Sequence, residues 1–119
     1  MGKTSRDKGK RGEREVAELL RDHGIPARRG VQYAGGADSP DVIGLEGVHI
    51  EVKRTETLRL YPALEQALAE RKPGDIATVW HRPNSRPWAV IMFAADFIAL
   101  MRALAPRNPA NNATKGELP

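Results

Sequence analysis

The stretch PDVIGLEGVHIEVK, residues 40–53, decides the fold. Its second half alternates: Val48, Ile50 and Val52 point to one side of an extended chain, and His49, Glu51 and Lys53 to the other. Pro40 disfavours a helical conformation for the residue before it and opens a strand over 41–44. The two strands form a hairpin whose register depends on the turn. A two-residue turn at Glu46 and Gly47 pairs Asp41 with Val52 and puts Asp41 and Glu51 on opposite faces. A three-residue loop, Leu45 to Gly47 with Gly47 in the left-handed conformation, pairs Asp41 with Glu51. That second register also gathers Val42, Val48, Ile50 and Val52 on one apolar face, so the hydrophobic pattern selects it and sets the two carboxylates about 5 Å apart at Cβ.

Outward from the hairpin, residues 12–23 read as an amphipathic helix stopped by Gly24 and Pro26. Val16, Ala17 and Leu20 form its apolar stripe, while Glu15, Glu18 and Asp22 fall opposite. Glu13 lies within the apolar stripe, either as an acid aimed inward or as a first-turn acid favoured by the helix dipole. Residues 27–30 read as a short strand, followed by a loop over 32–39 containing Gly35 and Gly36. Downstream come a helix over 62–71 and strands over 76–81 and 87–92. The turn Pro83-Asn84-Ser85 between those strands sets Trp80 opposite Trp88, as packing. A helix over 94–104 closes the core. The order αβββαββα implies an α/β fold, a central mixed β-sheet flanked by helices. Residues 105–119 hold too few apolar side chains to pack and are expected to be disordered.

With 119 residues, 40% hydrophobic and 29% charged, the chain supports one domain. The net charge of +4 is concentrated: residues 1–12 carry Lys3, Arg6, Lys8, Lys10 and Arg11 against Asp7, and the remainder is balanced. Residues 1–11 are therefore expected to be a flexible basic arm attracted to a polyanion, with the folded domain over 12–104. No apolar run reaches membrane-spanning length and no signal peptide is recognisable, which leaves the cytoplasm as the expected location. The absence of cysteine excludes disulfides, thiolate metal sites and cysteine nucleophiles.

Asp41 and Glu51 together suit a hard divalent cation, Mg²⁺ with Mn²⁺ as a substitute, which takes oxygen ligands and retains waters. The Val52 carbonyl is a further candidate ligand. Such a cation lowers the pKa of bound water and neutralises phosphate charge, so phosphodiester hydrolysis is the matching chemistry. Lys53 shares the face of Glu51. The neighbouring carboxylates favour its ammonium form, which suits holding the attacking water or stabilising transition-state charge better than general-base work. His49 shares that face too, as a substrate contact or as a solvated or packed histidine.

Pro40-Asp41, nine intervening residues and then Glu51-Val52-Lys53, after a helix bearing Glu13, resembles the PD-(D/E)XK nuclease superfamily. Within it the chain is similar to the archaeal-type Holliday junction resolvases and their phage and prophage relatives. Glu13-Arg14-Glu15 matches their helical E-R-E signature, and Arg28 or Arg29 matches an arginine on the first strand. Gly35-Gly36 stands where a glycine-serine pair would be expected. The resemblance covers residues 9–98 and implies a restriction-endonuclease-like core and a metal-dependent DNA endonuclease acting on a Holliday junction or other branched DNA as a homodimer. It further implies Asp41 and Glu51 as metal ligands, Glu13 as an outer metal or water ligand, Lys53 as the catalytic lysine, and Gln66 near the site. Lys8, Lys10, Arg11, Arg14, Arg28, Arg29, Ser39 and Arg54 are expected to contact DNA. Alternatives are a general phage-type endonuclease on duplex or flap DNA and a non-catalytic DNA-binding protein with a nuclease-like core.

Overall fold

The computed structural model describes residues 2–30 and 40–106, with side chains from Arg6 onward. Ser39 and the glycine loop, like the tail beyond residue 106, lie outside the described residues. The elements follow the expected order: α1 (Gly2–Asp22), β1 (Arg28–Arg29), β2 (Val42–Ile43), β3 (Val48–Lys53), α2 (Leu60–Glu70), β4 (Ile76–His81), β5 (Ala89–Ile91) and α3 (Ala94–Leu104). The strands form one five-stranded mixed sheet in the order β1-β2-β3-β4-β5. Only β3 and β4 run parallel, and α2 is the crossover between them.

The alternation of β3 becomes two cores, one on each side of the sheet. On one side Val16, Ala17 and Leu20 of α1 close over Val42, Ile50, Val52 and Trp80. On the other, Ala63, Leu64 and Ala67 of α2 close over Ala77 and Val79 of β4. Burying an aliphatic side chain of this kind contributes about 1.5–3 kcal/mol, so these two layers carry most of the stabilisation.

The hairpin register is the one selected by the apolar pattern. Val42 stands opposite Ile50, and Gly47 has φ +83°. Gly30 fixes the other edge: its N–H donates to the Asp41 carbonyl (2.8 Å), and a Cβ there would run into the Pro40 carbonyl.

Two expectations need correction. The basic segment expected as a flexible arm is helical from Gly2 and continuous with the rest of α1. Lys and Arg are good helix formers. Gly12 does not stop the helix; it lets it approach β3 closely, since a Cβ there would stand 2.8 Å from Arg54 Cβ. The second correction concerns the last hairpin, where Trp80 pairs with Val90, not with Trp88. Pro83 and Pro87 cannot donate to a ladder, and the intervening loop is held outside the sheet by Arg54 and Glu56, so pairing begins two residues later.

Candidate active site

The candidate site lies where β2 and β3 meet. Asp41, immediately before β2, donates its N–H to the Ile50 carbonyl (3.0 Å), and its Oδ2 accepts from the Val52 N–H at 2.8 Å. The group of Val52 that meets Asp41 is therefore its amide. Glu51 is buried on the α2 side of β3, at 4% exposure. Burial, reinforced by the charge of Glu51 and more weakly by Glu13, pushes Asp41 from its ordinary 3.8 up to about 7, although the Val52 amide and Lys53 act in the opposite direction. Acids crowded in this way hold a proton in place of a cation. The donor set fits a divalent ion with oxygen ligands.

Glu13 is aimed inward from α1 and is held there by Arg29, whose Nε donates to its Oε1 at 3.0 Å. Both are partly buried. Lys53 extends from the end of β3 to α2, where its Nζ donates to Gln66 Oε1 at 3.1 Å. The fold thus brings Glu13, Asp41, Glu51, Lys53, Gln66 and Arg29 to one end of the sheet from five separate stretches of chain.

The residues expected to meet DNA fall into different settings. Arg54 was expected to meet DNA, but its guanidinium donates to the Arg82 carbonyl (3.0 Å) and to Asn84 Oδ1 (2.8 Å), and its side chain is only 11% exposed. It ties the β4–β5 loop to the end of β3. Lys8 reaches Glu56 at 3.4 Å, an exposed pair. Lys10, Arg11 and Arg14 line an open groove of about 470 Å³ along α1, together with Asp7. Arg28 is an exposed residue of β1.

Two features were missed. Glu15 is not a solvated residue of the outer helix face: its Oε1 accepts from Arg82 (2.7 Å) and from Trp88 Nε1 (3.2 Å), latching the β4–β5 loop to α1. Glu70 lies beside Glu51 and His49, with one ligand atom of each within 4.8 Å of the others. Burial and the hydrogen bond to Glu51 hold Glu70 above the usual carboxylate range. Its signal was the spacing from Gln66, four residues and one helical turn away. His49 proves to be packed, 2% exposed, with Nε2 2.7 Å from Glu51 Oε1.

Among the described residues no helix is long and apolar enough to cross a membrane. No curated protein and no solved structure gives a significant match to the chain. The family model for the archaeal Holliday junction resolvase (Hjc) matches residues 4–96, which takes in α1, the whole sheet and α2. With 93 of its 119 residues thus matched, the chain belongs to the archaeal Holliday junction resolvase family and is a nuclease of the Holliday junction resolvase type.

Proposed function

We propose that this protein is a Mg²⁺-dependent endonuclease that cuts four-way or otherwise branched DNA as a homodimer. The observation that carries the reading is the crowding of Asp41 against Glu51, with Lys53 at the same sheet end, in a chain of the resolvase family. Asp41 and Glu51 would hold the cation, with the Val52 carbonyl as a further ligand and Glu13 as an outer one. Bound there, a divalent cation would lower the pKa of a bound water and offset phosphate charge. Lys53, steadied by Gln66, holds the attacking water or the charge developing on the phosphate.

The DNA contacts in this reading are made by Lys10, Arg11 and Arg14 in the groove along α1, and by Lys8, Arg28 and Ser39. Arg29 grips phosphate with the terminal nitrogens left after its Nε engages Glu13. Arg54 acts by shaping the loop. DNA of this kind is met in the cytoplasm of a bacterial cell, phage DNA included.

The dimer is supported by α3. Phe97, Ile98, Met101 and Leu104 form one stripe at helical spacing, all between 42% and 67% exposed, and no residue of α3 is buried. An isolated helix of eleven residues is marginal in water, and an apolar one is normally covered. A second copy supplies a matching stripe, and two-fold pairing suits a junction with two strands to cut.

The test is cleavage of labelled four-way junction, flap and linear duplex with Mg²⁺ or EDTA, beside Asp41→Ala. Metal-dependent paired cuts confined to the junction and lost in D41A are the expected result. Equal cutting of linear duplex would favour a general endonuclease, and no metal-dependent cleavage of any substrate would leave a DNA-binding protein.

A further inference from the structure

The carboxylate of Glu51 is enclosed between β3 and α2, so its direction is set by protein groups and not by solvent. His49, two positions earlier on the same strand face, meets Glu51 Oε1 with its Nε2 at 2.7 Å. Glu70, in the last turn of α2, faces Glu51 from the helix, with a carboxylate oxygen within 4.8 Å of Glu51's and of the His49 ring nitrogen. Both partners are themselves held. The His49 carbonyl accepts from Thr78 Oγ1 at 2.8 Å, and that hydroxyl in turn accepts from Trp80 Nε1 at 3.1 Å. Glu70 accepts from Gln66 Nε2 at 3.4 Å, and Gln66 accepts from Lys53 Nζ at 3.1 Å. A continuous polar strip thus runs from His49 through Glu51, Glu70 and Gln66 to Lys53, along the seam between sheet and helix.

We propose that His49 and Glu70 are positioning residues for Glu51: by holding its carboxylate through Oε1 and from the α2 side, they fix the direction in which its remaining lone pairs face Asp41. The inference rests on the reading of Asp41 and Glu51 as cation ligands. Neither His49 nor Glu70 touches substrate. Their effect is on the geometry of the ligand set, and outer-shell partners of this kind typically change metal affinity or activity about 10–100-fold when removed. The strip also couples the two ends of the site, since Gln66 contacts both Glu70 and Lys53.

The experiment is calorimetric titration of the DNA-free protein with Mn²⁺, followed by steady-state cleavage of a four-way junction. His49→Leu, which keeps bulk and loses the ring nitrogen, should weaken Mn²⁺ binding about 10–100-fold and lower kcat, with KM for DNA nearly unchanged. His49→Gln, whose amide can donate to the same oxygen, should recover most of that affinity, a rescue that a purely structural role would not give. Glu70→Ala should weaken Mn²⁺ binding in the same direction. If His49→Leu does not fold, Glu70→Ala at its partly exposed position decides alone. Unchanged Mn²⁺ affinity in the folded variants, whatever their Tm, would overturn the proposal. A wild-type protein that binds no Mn²⁺, or an Asp41→Ala variant that binds it undiminished, sinks the cation reading and this proposal with it, and is recognised by the behaviour of those two proteins alone.

Discussion

α2 and α3 are both eleven residues long and both rich in alanine and leucine, yet they meet opposite fates. α2 buries Ala63, Leu64 and Ala67 against the sheet and turns Gln66 and Glu70 toward the candidate site. α3 buries nothing. The difference lies in what each stripe is made of. The alanines of α2 let its backbone approach β4, where Ala77 and Val79 leave room, and Leu64 fills the gap. The exposed stripe of α3 is Phe97, Ile98, Met101 and Leu104, four large side chains, where two of the three buried residues of α2 are alanine. Small residues in a stripe allow close packing within the chain, whereas a stripe of large ones that stays exposed leaves apolar surface open to a partner.

That contrast can be broken by substitution, and α2 gives the largest expected effect. Leu64→Ala should cost about 2–5 kcal/mol of unfolding free energy, measured by urea denaturation, because the site cannot collapse between two alanines and a strand. Ile98→Ala, a similar truncation on α3, should cost a small fraction of that at protein concentrations low enough to keep the chain monomeric. At higher concentrations the ranking sharpens in another way. Ile98→Asp with Met101→Asp should leave a folded monomer by light scattering while wild type runs as a dimer, and the two strands of a junction should then be cut independently. A double variant of unchanged mass would remove α3 from the interface.

The candidate site offers a contrast of its own. Asp41 is raised to about 7 while its unfolded-state value stays near 3.8, so the folded chain binds that proton more tightly than the unfolded chain does. Between those two values stability falls as pH rises, because the carboxylate must ionise where burial and Glu51 oppose it. Asp41→Asn keeps an oxygen for the Val52 amide and removes the charge. In EDTA it should raise Tm at pH 8 and have little effect at pH 4, while abolishing Mg²⁺-dependent cleavage at every pH. A Tm gain at pH 4 as large as that at pH 8 would show that the charge is not its source.

Much of this is legible in the residues alone. Strict alternation in β3, together with Gly47 in the turn, is sufficient to select the register that sets Asp41 beside Glu51, because one slip would move every valine to the polar face. The extent of α1 is not legible, since a run of Lys and Arg with interspersed glycines reads equally as an arm or as an exposed helix. The last hairpin is displaced by two residues from its expected pairing because tertiary ties from Arg54, Glu56 and Glu15 hold its loop, and such ties leave no mark in local sequence. For the same reason Arg54 reads as a DNA contact and Glu15 as a solvated acid. Glu70 is invisible because its role depends on how α2 lies across β3.

The smallest expected effect concerns the N-terminal turns of α1. Removing residues 1–10 deletes Lys8 and Lys10 along with Lys3 and Arg6, but leaves Arg11 and Arg14 in the groove. Every phosphate that the protein ceases to neutralise reduces the slope of log affinity against log salt by roughly 0.9 on duplex arms. Lys8 is already paired with Glu56, and an exposed pair of this kind is weak, so it can exchange that carboxylate for phosphate at little cost. The helical form matters here, because a rigid extension presents its bases at fixed spacing, and only those facing the duplex can register. The slope for the truncated protein should therefore be shallower by about 1–2, less than the four deleted bases would give if all met phosphate. A decrease near 4 would mean that the whole segment follows the backbone as a flexible arm would, and an unchanged slope would remove it from the DNA-binding surface.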